Sequence, residues 1–187
     1  MSRFKITPNH LTILRIILSF VTFYLLLQTS FSSRIAALFV FTIAALTDLW
    51  DGQLARSGGM ITNFGKIMDP IADKLLILGT FSILSYLGMY PFWVLIPIFV
   101  REIGVTLARF YLLGKNVVIA AEKSGKFKVV TQIVSLFATY ICMLVRDYLH
   151  TNMFFDILNY TFFFIATWFS ISSGWDFLKH NWRSIRA

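Results

Sequence analysis

Long apolar runs alternate with short polar connectors along this chain. Each run is long enough to cross a hydrocarbon core of about 30 Å as a helix. Six such spans can be drawn, roughly over residues 11–28, 35–55, 71–88, 92–113, 129–145 and 154–178. The connectors at 29–34, 89–91 and 146–152 then fall on one side of a membrane. The termini and the connectors at 56–69 and 114–128 fall on the other. In hydrocarbon every backbone polar group has to be satisfied within its own segment, so the spans predict an all-α bundle of six transmembrane helices. Little sequence is left for a separate soluble domain, and residues 1–187 are read as one membrane domain. The first run follows a short basic tail, as in a signal peptide. It is too long for an h-region and more spans follow, so it is expected to stay attached. No internal repeat or low-complexity segment is visible.

Composition strengthens this picture. The chain is 57% hydrophobic with 20 Phe, and its mean hydropathy of +0.72 is far from that of a soluble domain. The formal charge is +8, from 17 Lys and Arg against 9 Asp and Glu. In a soluble protein that balance would point to nucleic acid. Here the bases cluster beside apolar spans, so anionic lipid head groups are the expected partner and nucleic acid is not. Arg3, Lys5, Arg56, Lys66, Lys115, Lys123, Lys126, Lys128, Lys179, Arg183 and Arg186 lie on one side, and only Arg34 and Arg146 on the other. Positive charge near span ends stays cytoplasmic. Both termini are therefore expected in the cytoplasm, and the chain in the cytoplasmic (inner) membrane. The single cysteine, Cys142, excludes an intrachain disulfide.

Charge also marks a candidate site. Asp48, Asp51, Asp69 and Asp73 crowd the cytoplasmic ends of the second and third spans. Asp48 and Asp51 are three apart and Asp69 and Asp73 four apart, so each pair shares a helix face. Antiparallel neighbours joined by a short loop bring the end of one span beside the start of the next, and the four carboxylates can converge. Two carboxylates about 4 Å apart repel by roughly 4 kcal/mol at an effective dielectric near 20. A hard divalent cation removes that conflict, and an all-oxygen set suits magnesium or manganese rather than zinc. His10, His150 and His180 are scattered and fit no ligand spacing. Magnesium shared between carboxylates and phosphates points to a diphosphate substrate. Gly52, Ala55 and Gly65 leave room along the carboxylate faces, and Arg56 adds a phosphate-seeking guanidinium. Simpler readings exist for each part. An Asp-x-x-Asp at a span end is commonly a solvated interface. Asp69 before Pro70 can be a helix N-cap, and the glycines can serve helix packing.

Together these residues read Asp48-x-x-Asp51-Gly52-x-x-Ala55-Arg56, eight residues, Gly65, three residues, Asp69, three residues, Asp73. The pattern resembles the signature of the CDP-alcohol phosphatidyltransferase family at all eight positions. The six-span arrangement extends the resemblance over nearly the whole chain. It implies two metal ions, Mg2+ or Mn2+, held by Asp48, Asp51 and Asp69 with Asp73 contributing, and binding the diphosphate of a CDP-lipid. It also implies space for cytidine at Gly52, Ala55 and Gly65, nucleotide phosphates at Arg56, and Asp73 as the general base that deprotonates the acceptor hydroxyl. Homodimers are common in the family, and one is expected by analogy.

The acceptor is read from a second charged group. Arg101, Glu102 and Arg109 lie inside the fourth span. An arginine at a helix centre costs about 2.5–3.5 kcal/mol on insertion scales, so each should face a polar cavity or a partner. Lys126 and Lys128 open the fifth span. These four cations would suit an anionic acceptor; alternatively, Glu102 neutralises one arginine while the lysines meet lipid phosphates. Within the family, the Pro8-Asn9-x-Leu11-Thr12-x-x-Arg15 start, Arg101-Glu102-Ile103 and Gly125-Lys126-x-Lys128 resemble the bacterial phosphatidylglycerophosphate synthase branch. The resemblance implies CDP-diacylglycerol as donor and sn-glycerol 3-phosphate as acceptor, with Arg101, Arg109, Lys126 and Lys128 on the acceptor phosphate. A threonine is usual in that branch where Val129 stands, which removes a hydroxyl from the implied pocket. A cardiolipin synthase of the CDP-lipid type and a transferase to inositol phosphate therefore stay open. Outside the family, intramembrane acids also mark cation transporters; here the acids gather at one face and not at the midplane.

Overall fold

Six α-helices follow one another in the computed structural model: α1 (Pro8–Leu27), α2 (Phe31–Gly58), α3 (Asn63–Tyr86), α4 (Ile96–Gly114), α5 (Lys123–Leu149) and α6 (Met153–Arg186). A 3-10 turn, Phe92–Leu95, leads into α4. The structure describes residues 8–58, 63–115, 123–149 and 153–186. Within the helices, the side chains of 8–9, 48–58, 63–67, 69, 113, 123–124 and 183–186 also lie outside the described residues. Among the described residues there is no strand.

Each apolar run of the sequence falls on one helix, but the helices overrun the runs. α3 begins at Asn63 and α6 continues to Arg186. An apolar run marks where the chain avoids water; the hydrogen-bond ladder continues for as long as the residues tolerate helix. Pro70 accordingly sits inside α3 instead of opening it. Asp69 is therefore a position within that helix and not its N-cap. Gly88, at φ 77°, turns the chain after α3 in the left-handed region that a glycine adopts without a Cβ clash.

Polarity runs inside out. On α1 the buried stripe is Thr12, Arg15, Ser19 and Thr22, while Ile13, Ile17, Phe20 and Tyr24 are exposed. On α5 Lys128, Gln132, Ser135 and Thr139 are buried and Phe127, Val130 and Ile141 exposed. On α6 Asn159, Ser170 and Ser173 are buried, while Phe164, Trp168 and Trp175 are exposed. Water would penalise this arrangement by about 25 cal/mol for every Å² of apolar surface left uncovered, whereas hydrocarbon favours it. The hydroxyls complete the pattern by turning back on their own helices. Ser19 donates to the Arg15 carbonyl at 2.7 Å, Thr80 to that of Leu76 at 2.6 Å and Thr167 to that of Phe163 at 2.9 Å. Three stretches are long and apolar enough to cross a membrane: His10–Leu27, Gly125–Leu149 and Met153–Trp182; Phe31–Thr47 is a shorter apolar helix.

The helices gather into two compact units, residues 1–87 and 88–187. In the first, α1 packs against both α2 and α3, and α2 touches α3. Gly79 makes the α1–α3 approach possible, because a Cβ there would run into the Phe23 ring. In the second, α6 packs against α4 and α5. Asn159 of α6 accepts from Thr139 at 2.7 Å and donates to the Met89 carbonyl at 2.9 Å. The Tyr90 and Phe163 rings stack with centroids 4.4 Å apart. The segment leading into α4 is thereby fixed to α6.

Candidate functional site

Asp48 and Asp51 lie on α2, and Asp69 and Asp73 on α3. Helical backbone carries all four, so the three- and four-residue spacings place each pair on one face, and the two helices are in contact. The side chains of Asp48, Asp51, Gly52, Ala55, Arg56, Gly65 and Asp69 lie outside the described residues, and so does the convergence of the carboxylates.

Asp73 is described, and its setting brings in a residue whose role the spacing did not reveal. Arg15 of α1 donates from Nη1 to Asp73 Oδ1, forming an ion pair between side chains 1% and 39% exposed. Arg15 is the largest of the fully buried side chains. Its place on the inward stripe of α1 follows from Thr12, Ser19 and Thr22 sharing that face. Ala72 and Leu76, buried on either side of Asp73 in α3, hold the carboxylate's backbone against the interior. The carboxylate itself remains accessible. A signal existed in the sequence: an arginine within an apolar span requires a partner, as Arg101 does.

Carboxylate oxygen at all four positions is the ligand chemistry that a hard cation prefers, and Asp73, the one of the four whose side chain is described, is paired with Arg15. A carboxylate has about four lone-pair sites, so Asp73 can serve Arg15 and a further cation together.

The second charged group is assembled within residues 88–187. Glu102 is buried on α4, and its Oε1 accepts from three donors: Arg101 Nη1 at 3.2 Å, Lys128 Nζ, and Gln132 Nε2 at 3.3 Å. Glu102 thus meets one arginine, as the simpler reading of the sequence has it, and one lysine as well. Arg101 also donates from Nη2 to Ser173 Oγ at 2.7 Å. Arg109 has its guanidinium carbon 5.7 Å from the centre of the Phe177 ring. Both arginines therefore lie against α6. Lys126 is exposed at the start of α5, two residues before buried Lys128. Arg101 and Lys128 share the single Glu102 carboxylate, two positive charges against one negative. The roles of Ser173 and Phe177 were not marked by any sequence spacing.

Comparison with known proteins accords with this layout. The family model for CDP-alcohol phosphatidyltransferase matches residues 5–172. A protein of Bacillus subtilis (strain 168) named CDP-diacylglycerol–glycerol-3-phosphate 3-phosphatidyltransferase is 36% identical over 159 residues, covering 83% of this chain and 78% of its own. A protein of the same name from Shigella flexneri is 32% identical over 181 residues, covering 92% and 91%. One from Mycoplasma pneumoniae is 28% identical over 205 residues, covering 98% and 90%. With most of its length matched by the family and both charged groups inside the matched region, the chain belongs to the CDP-alcohol phosphatidyltransferase family.

Proposed function

We propose that this protein is a metal-dependent transferase that moves the phosphatidyl group of CDP-diacylglycerol to sn-glycerol 3-phosphate, releasing CMP. The observation that carries the proposal is the eight-position motif on two touching helices, inside the span matched by the family. The names of the relatives favour this donor and this acceptor.

In this reading Asp48, Asp51, Asp69 and Asp73 hold two ions, Mg2+ or Mn2+, which when bound neutralise the diphosphate and align the attacking and leaving oxygens. Gly52, Ala55 and Gly65 leave room for cytidine, and Arg56 meets the nucleotide phosphates. Asp73 takes the proton from the acceptor hydroxyl. The freed oxygen bonds to the lipid-side phosphorus, and the bond from that phosphorus to the bridging oxygen breaks, so that CMP leaves with that oxygen. Arg15 fixes the orientation of the Asp73 carboxylate. Arg101, Arg109, Lys126 and Lys128 bind the acceptor phosphate, which joins the partly neutralised cations around Glu102. The chain is read as one membrane domain with six spans, both termini and the acidic cluster on the cytoplasmic side of the inner membrane. The asymmetry of Lys and Arg between connectors supports that orientation. A homodimer is part of the proposal by family analogy.

The test is an acceptor panel with purified protein and labelled CDP-diacylglycerol. Product is expected with glycerol 3-phosphate, lost in excess chelator and restored by Mg2+ or Mn2+. Product only with phosphatidylglycerol or inositol phosphate would move the protein to another branch. CMP release that persists unchanged in chelator would remove the metal, and none with any acceptor would leave the transporter reading. A second expectation concerns the clamp. Arg109→Ala should raise the KM for glycerol 3-phosphate about tenfold, the loss of one charge-assisted contact, and leave that for the CDP-lipid in place. An unchanged acceptor KM would take Arg109 out of the phosphate site.

A further inference from the structure

Two arginines two turns apart on one helix do not by themselves make a site for one phosphate. Arg101 and Arg109 are separated by about 12 Å of helix rise. What their side chains rest on is a single turn of α6. Arg101 Nη2 donates to Ser173 Oγ at 2.7 Å, and Arg109 lies over the Phe177 ring. Ser173 and Phe177 are four residues apart, about 6 Å of rise. The anchors are thus about half as far apart along their helix as the arginines are along theirs.

The turn is shaped for this load. A Cβ on Gly174 would stand 2.8 Å from Arg101 Cγ and 3.7 Å from its Nε. The Arg101 stem therefore crosses α6 where a side chain is missing. Ser173 is buried, so its hydroxyl is held in place. Phe177 is buried too, packed with Val105 and Leu112 of α4. Glu102 alone is a weak anchor for Arg101, because the same oxygen also serves Lys128 and Gln132. Ser173 accepts from the other terminal nitrogen of the guanidinium and stops it swinging about Glu102.

We infer that Ser173, Gly174 and Phe177 form the seat that positions Arg101 and Arg109 for the anionic group of the acceptor. The inference rests on the reading of those arginines as the acceptor-phosphate clamp. These three are positioning residues, with no contact to reacting atoms required of them.

The experiment uses the full chain in detergent or vesicles and measures kcat, both KM values and the melting temperature for each variant. Ser173→Ala should raise the KM for glycerol 3-phosphate about tenfold, the loss of a hydrogen bond to a charged group. It should leave kcat and the CDP-lipid KM near wild type and lower the melting temperature by only a few degrees. Ser173→Thr, which keeps the hydroxyl, should restore the acceptor KM. Gly174→Ala should resemble Ser173→Ala, since its Cβ displaces the Arg101 stem. Phe177→Leu, apolar but without the ring face, should raise the acceptor KM about threefold. In an Arg101→Ala background, Ser173→Ala should add nothing. An unchanged acceptor KM in Ser173→Ala, with a raised one in Arg101→Ala, would overturn the seat and leave the clamp standing. Unchanged acceptor KM in both would overturn the clamp itself, and the seat with it. A Ser173→Ala variant that loses thermal stability and worsens both KM values alike would assign Ser173 to packing and overturn the seat.

Discussion

Asp73→Asn is expected to slow phosphatidyl transfer by about 10²–10⁴-fold, the range that a positioned general base supplies, while CDP-lipid still binds. Asparagine keeps the size of the side chain and one acceptor oxygen for Arg15, but it replaces the other oxygen by an NH2 group and loses the charge and the capacity to take a proton. Alanine would be a poorer probe. It would also take from Arg15, whose side chain is 1% exposed, the acceptor that Asp73 Oδ1 provides, and so mix a loss of stability with the loss of the base. The measurement is single-turnover CMP release, with CDP-lipid binding and melting temperature recorded on the same preparation. Loss of turnover with binding retained supports the base. Loss of both together would make the side chain chiefly a ligand for the donor's diphosphate site, and undiminished turnover would remove Asp73 from the chemistry.

The helices were legible because a segment that must bury its backbone in hydrocarbon has to be both apolar and helical, and the two requirements mark the same residues. Their ends were not. Pro70 reads as a helix start, yet α3 begins at Asn63, because residues before a proline can extend the ladder when nothing forces them out of it. The acid motif was legible through short-range spacing, which a helix turns directly into a shared face. Contacts across helices have no such spacing. Arg15 and Asp73 are 58 residues apart and Arg101 and Ser173 are 72 apart. What the sequence offered for each was an arginine in an apolar span, which demands a partner without naming it. Gly174 was the least legible of all, since a glycine in a helix looks the same whether it weakens the helix or makes room for a neighbour.

Arg15→Met is expected to lower kcat by about 10²-fold, the scale on which a catalytic group misplaced by about 1 Å loses rate, with a much smaller change in thermal stability. The asymmetry follows from burial. Methionine fills the interior of the α1 face with an unbranched apolar side chain, and Asp73, left behind, is open enough to be hydrated. The fold therefore loses little. The carboxylate, however, loses the Arg15 donor on its Oδ1, and with it one of the contacts that fix which way its oxygens point. Arg15→Lys separates charge from geometry. It keeps a cation near Asp73 but replaces a planar fork by a point donor on a flexible stem, so it should recover part of the rate and not all of it. Steady-state kcat beside the melting temperature of the three proteins decides the matter. If Arg15→Met turned over at the wild-type rate, the pair would be a device of folding alone. If Lys restored activity fully, the charge of Arg15 would matter and its orientation of Asp73 would not.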